Sequence, residues 1–114
     1  MHLLDELKAA GLPLPEKEYK FALSIGRLWR FDYAWPEHKL ALEVEGGVHM
    51  NGRHVRGSGF IEDMHKYNCA AIMGWFVVRV IPAQMNGIAF RVVRAALTGE
   101  VTPATFPKKP KKKK

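Results

Sequence analysis

The stretch "RFDYAWPEHKLALEVEGG", residues 30–47, decides how the chain is read. Two runs, "WRFDYAW" and "KLALEVE", flank a turn-like "PEH", and both alternate aromatic or aliphatic residues with acids. A period of two is the pattern of β-strands, and the short polar break between them makes a hairpin. Side chains alternate across a strand, so Phe31, Tyr33 and Trp35 are expected on one face and Arg30, Asp32 and Ala34 on the other. On the next strand Leu40, Leu42 and Val44 face one way, Ala41, Glu43 and Glu45 the other.

If Trp35 and Leu40 flank the turn, the register sets Asp32 opposite Glu43 and Arg30 opposite Glu45. Directly opposed side chains lie about 5 Å apart. Two carboxylates at that separation repel by roughly 3 kcal/mol at an effective dielectric of about 20. Either one is protonated or a cation sits between them, and a hard divalent ion such as Mg²⁺ takes oxygen ligands of this kind. A solvated polar face neutralised by Arg30 or Lys39 is the simpler account of the same spacing.

Working outward, a short amphipathic helix is expected from His2 to Ala10, with Leu3, Leu4 and Leu7 on one face and Gly11 ending it. "LPLPEKE" is a connector, and "EYKFAL" reads as a first strand with Tyr19, Phe21 and Leu23 on one face. After the hairpin comes "GGVHMNGRHVRGSG", residues 46–59, a loop with five glycines and long enough to suggest a role. "FIEDMHKYNCAAIM" reads as a helix opened by Ser58 or Gly59 and closed by Gly74. "WFVVRVI" reads as an interior strand ended by Pro82, and a last helix is expected over Ala83–Leu97 with Ile88, Val92 and Leu97 buried. The order is α-β-β-β-α-β-α, an α/β chain of the α+β type with a mixed sheet.

The 114 residues suffice for one core without disulfides, and residues 1–106 are read as a single domain. The single cysteine, Cys69, has no partner for a disulfide or a zinc site and is most simply a buried helix residue; this fits a reducing, cytoplasmic setting. "MHLLDELKAAGLPLP" carries early acids and no long apolar run, so it does not read as a signal peptide, and no stretch approaches a membrane span. Six lysines of the net +7 lie in residues 108–114, which leaves +1 on the remainder. Residues 107–114 are therefore expected to be a disordered tail, able to attract phosphates in a salt-sensitive way or simply to aid solubility.

The loop after Glu45 carries His49, Arg53, His54 and Arg56, placed to hold a phosphodiester near the acids. The helix beyond it carries Glu62, Asp63, Lys66 and Tyr67. Glu62 and Lys66 are four apart, so a surface ion pair is one account, and Lys66 turned to the acids to stabilise transition-state charge is the other. The oxygen-rich set favours magnesium or manganese over zinc. Neither Ser58 nor Cys69 has the surroundings of a nucleophile.

The ordered set "WRFDYAWP", "LALEVEGGVH", "RHVRGSGFIEDMHKYN" and "GWFVVRV" resembles the PD-(D/E)XK nuclease superfamily over Glu18–Val80. Within it the chain is most similar to small phage and prophage endonucleases related to the very-short-patch-repair type, and to Holliday junction resolvase-like enzymes. The resemblance implies a restriction-endonuclease-like core and Mg²⁺- or Mn²⁺-dependent hydrolysis of DNA, leaving a 5′-phosphate and a 3′-hydroxyl. It implies Asp32 and Glu43 as metal-binding acids, with Val44 offering its carbonyl, and Glu18 as an additional acid. Glu45 stands where the superfamily usually has lysine, so Lys66 is the replacement, or Glu45 binds a second metal or acts as base. A fold that has lost catalysis but still binds DNA, and a mismatch or site-specific nicking enzyme, are the alternatives. A junction resolvase would act most simply as a two-fold homodimer.

Overall fold

The computed structural model describes residues 2–46, 58–106 and 108–109. A four-stranded sheet runs in the order β1 (Glu16–Lys20), β2 (Arg30–Trp35), β3 (Leu40–Val44), β4 (Phe76–Val80). The first three strands are antiparallel neighbours, and β4 lies parallel to β3. A parallel pair requires a crossover, which α2 (Ser58–Ile72) provides. The helices α1 (Leu3–Ala9) and α3 (Ile88–Thr98) complete a mixed α+β fold.

Two apolar layers hold the sheet. On one face Trp35, Leu40, Leu42 and Val80 pack with Leu3 and Leu7 of α1 and with Met85, Ala89 and Val93. Leu3 and Leu7 are one helical turn apart and fully buried, while the His2 side chain caps the helix by accepting the Leu4 N–H. On the other face Phe21, Phe31, Ala34, Ala41 and Trp75 pack with Ala70 of α2. The rings of Phe21 and Phe31 stack at 4.1 Å, and Trp75 closes on Phe31 at 5.0 Å.

The hairpin register is the one the sequence predicts: Trp35 pairs with Leu40, Ala34 with Ala41, Tyr33 with Leu42. Pro36–His38 forms a single 3₁₀ turn, and Lys39, at φ +52°, takes the left-handed conformation that brings the chain back. Proline at the start of that turn presets its φ.

Four expectations need correction. Phe31 is not on the face of Tyr33 and Trp35; it lies with Phe21 and Trp75 beneath α2. Its neighbour across the sheet is Tyr19, and between that pair and Lys17–Tyr33 stands Glu18, whose φ of +52° breaks the regular alternation. Leu23 is exposed, because the chain turns into a 3₁₀ segment at Leu23–Ile25 instead of extending β1. β4 lies at the sheet margin with Phe76 exposed, so its apolar run is not that of an interior strand. In α3 the buried residues are Ala89, Val93 and Ala95, whereas Ile88, Val92 and Leu97, expected to be buried, are half-buried; the helix begins at Ile88, after a separate 3₁₀ turn at Pro82–Gln84. Residues His49, Arg53, His54 and Arg56 of the basic loop lie outside the described residues, as does most of the lysine tail.

Candidate active site at the open end of the hairpin

The β2–β3 ladder ends at Tyr33–Leu42. Beyond it, carboxylates take over the work of the backbone. The Asp32 N–H donates to Glu43 Oε2 at 2.8 Å, and the Val44 N–H donates to Asp32 Oδ2 at 2.7 Å. Each strand thus gives its acid to the other strand's main chain. Nothing apolar in these positions would satisfy those two N–H groups, and an unpartnered buried N–H costs about 1–3 kcal/mol.

Glu43 is 5% exposed, the buried acid of the described residues. Lys66 Nζ lies 2.5 Å from Glu43 Oε1, and the Tyr67 hydroxyl donates to the same oxygen at 2.8 Å. Both donors come from consecutive positions on α2, which the crossover lays over this part of the sheet. Glu43 therefore has a cation and three donated hydrogen bonds, which is what a buried carboxylate requires. Burial, the bond to Glu43 and the Glu43 charge together push the Tyr67 phenol well above its ordinary range, so it stays a donor. Lys66 also stands over the Phe31 ring at 5.7 Å.

Asp32 is supplied differently. It is half-buried and takes the Val44 N–H, and among the described residues no lysine or arginine pairs with it. Burial raises its pKa most; the Val44 N–H opposes this, and the charges of Glu43 and Glu18 raise it further. An anion held in this way favours either a proton or a cation.

The other sequence candidates divide between the two sides of the sheet. Glu18 lines the same cleft as Asp32 and is ion-paired with Arg30. Arg30 is thus not set against Glu45. Glu45 lines a separate hollow with Asp63, Tyr67 and Arg79, and its charge is felt by Tyr67. No hydrogen bond or ion pair among the described residues joins Glu45 to Asp32, Glu43 or Lys66. The surface pair of Glu62 with Lys66 does not form: Glu62 Oε2 accepts from Arg27 at 2.8 Å and from the Trp29 indole at 2.9 Å. Cys69 is only partly buried, beside Met73.

Sequence reasoning named Tyr67 on this helix without giving it a role, and it did not single out Arg79. Tyr67 bonds Glu43, and Arg79 stacks on the Tyr67 ring at 4.1 Å. Arg79 is the partner of Glu43 in the parallel β3–β4 register. That register depends on the crossover, and no local pattern reveals it.

Among the described residues, no three His, Cys, Asp or Glu side chains converge as a ready metal cage. The acid pair and the adjacent Val44 backbone nevertheless suit a hard cation. Their donors are oxygens, and Asp32 is a carboxylate that burial and like charge leave short of positive charge.

No protein-family model matches the chain, and no solved structure matches it. It is 32% identical over 71 residues to two proteins of Mycobacterium tuberculosis, "Uncharacterized protein MT2308" of strain CDC 1551 / Oshkosh and "Uncharacterized protein Rv2248" of strain H37Rv. The match takes in 62% of this chain and 25% of each relative, so the chain spans about a quarter of the curated proteins it resembles. Among the described residues, no helix is long and apolar enough to cross a membrane.

Proposed function

We propose that the chain is a divalent-metal-dependent DNA endonuclease with a restriction-endonuclease-like core, directed to branched or otherwise irregular DNA. One observation carries the reading. Two acids at the open end of a hairpin are cross-braced through each other's main chain, and a lysine from the crossover helix is fixed on the second of them. A structural salt bridge needs only Glu43 and Lys66; Asp32 braces the Val44 N–H, yet among the described residues no lysine or arginine offsets its charge.

In this reading Asp32, Glu43 and the Val44 carbonyl hold Mg²⁺ or Mn²⁺. When bound, the ion supplies Lewis acidity and a water of lowered pKa. The chain's own residues do the rest. Lys66 and Tyr67 fix the Glu43 carboxylate, and the Lys66 ammonium places positive charge where the attacked phosphate gains negative charge. Lys66 thereby replaces the lysine absent at Glu45, which lies in the hollow beneath α2.

A second reading has its own observation. Lys66 already neutralises Glu43 from within the protein, which is how a nuclease fold retired to plain DNA binding would be stabilised. Cleavage of a labelled panel with Mg²⁺, Mn²⁺ or EDTA separates the two readings. The panel holds a four-way junction, a flap, a mismatch, a duplex and a single strand. Metal-dependent cutting that disappears in Glu43→Ala supports the enzyme. Binding with no cutting by either protein supports the retired module.

A further inference from the structure

A hollow of about 560 Å³ opens beside Asp32 on the α1/α3 face of the sheet, away from Glu43's partners on α2. The proposed chemistry uses one of its residues, Asp32. The remaining lining sorts by chemistry. Tyr33 and Met85 give an aromatic and an apolar wall. Lys17, Asn86 and His2 give donors. The His2 Nδ1 is used as an acceptor by the Leu4 N–H, so the neutral ring carries its proton on Nε2 and presents a donor there.

We infer that this cleft seats a single unpaired nucleotide flanking the scissile phosphate, an inference that rests on the nuclease reading. Its volume lies in the range of small-ligand sites, about 300–1,000 Å³, and is too small for a turn of duplex. A ring wall beside a lysine and an amide matches the parts of a nucleotide: a face to stack, a phosphate, and a base edge with donors and acceptors. A base enters such a cleft only when it is out of its stack, so flaps, mismatches and single strands are the substrates and continuous duplex is not.

The charges make the inference sharper. Asp32 and Glu18 both line the cleft, and Glu18 is offset by Arg30, so Asp32 opposes an entering phosphate. Nucleotide binding must then require a divalent cation, whereas an uncharged nucleoside gains little from one.

The test is fluorescence anisotropy of a labelled thymidine tetranucleotide and of a short continuous duplex, in Ca²⁺ and in EDTA. Lys17 and Asn86 are both exposed, so Lys17→Ala and Asn86→Ala leave the core intact, which circular dichroism verifies. The expected result is tetranucleotide binding that needs Ca²⁺ and weakens about tenfold in each variant, with a smaller effect on the duplex. Wild-type affinity for the tetranucleotide in both variants overturns the inference. If the panel is still cut and Glu43→Ala still abolishes cutting, that failure leaves the nuclease reading standing. Binding that is equally tight in EDTA also overturns the inference, because the cleft would then hold the nucleotide against Asp32 unaided.

Discussion

The two ends of the same hairpin are held by different physics. At the turn end, Trp35, Leu40, Ala34 and Ala41 are buried between the two helical layers and joined by a regular ladder. Two or three residues away the ladder stops, and Asp32 and Glu43 serve the backbone in its place. The closed end is stabilised by removing apolar surface from water, at about 25 cal/mol per Å². The open end holds two acids within one small volume and needs donors and a cation to do so. The buried, regularly paired region is what holds the two acids of the second region in place.

The largest effect tests the closed end. Trp35 is 2% exposed and its indole N–H donates to the Pro13 carbonyl at 2.8 Å. Trp35→Ala should cost about 3–5 kcal/mol in urea unfolding. A loss under about 1 kcal/mol would break the comparison from its stable side.

The next effect tests whether Glu43 depends on its cation. The side chains of Lys66 and Glu43 are 15% and 7% exposed, so Lys66→Met leaves a buried carboxylate without its charge partner. A loss of about 3 kcal/mol is expected. Adding Glu43→Gln to Lys66→Met should recover most of it, and a double-mutant cycle with no coupling would contradict the arrangement.

A smaller effect, of opposite sign, comes from Asp32. Its pKa is raised in the folded protein, so the folded state binds more protons than the unfolded state between the ordinary carboxylate value and the raised one. Stability therefore falls as pH rises through that window and stays lowered above it. Asp32→Asn keeps an acceptor for the Val44 N–H and should raise the melting temperature at neutral pH. The gain should fade as the pH is lowered below the ordinary carboxylate range. An unchanged or lower melting temperature at neutral pH would mean that the Asp32 charge does not destabilise the fold. The smallest effect is at the surface: Arg30 and Glu18 are both more than half exposed, and Arg30→Ala should cost no more than about 1 kcal/mol.

The closed end was legible in the sequence and the open end only in part. Period-two alternation and a prolyl turn fix which residues pair near Trp35 and Leu40, because burial on both faces leaves one register. The face of Phe31 was not legible, since the break beside Glu18 rests on a left-handed backbone that a glutamate does not advertise. The partner of Lys66 was left open for a similar reason. Its spacing from Glu62 fits a helix-surface pair, and only the packing of α2 on the sheet sends it to Glu43 while Arg27 takes Glu62. Tyr67 and Arg79 reach the site through that same packing.

The central claim is that the open end binds a divalent cation through Asp32. Titration with Mn²⁺, following free Mn²⁺ by electron paramagnetic resonance, tests it in wild type and in Asp32→Asn. The account predicts Mn²⁺ uptake by wild type that Mg²⁺ displaces and that Asp32→Asn loses. Equal uptake by both proteins, or none by wild type, would contradict it.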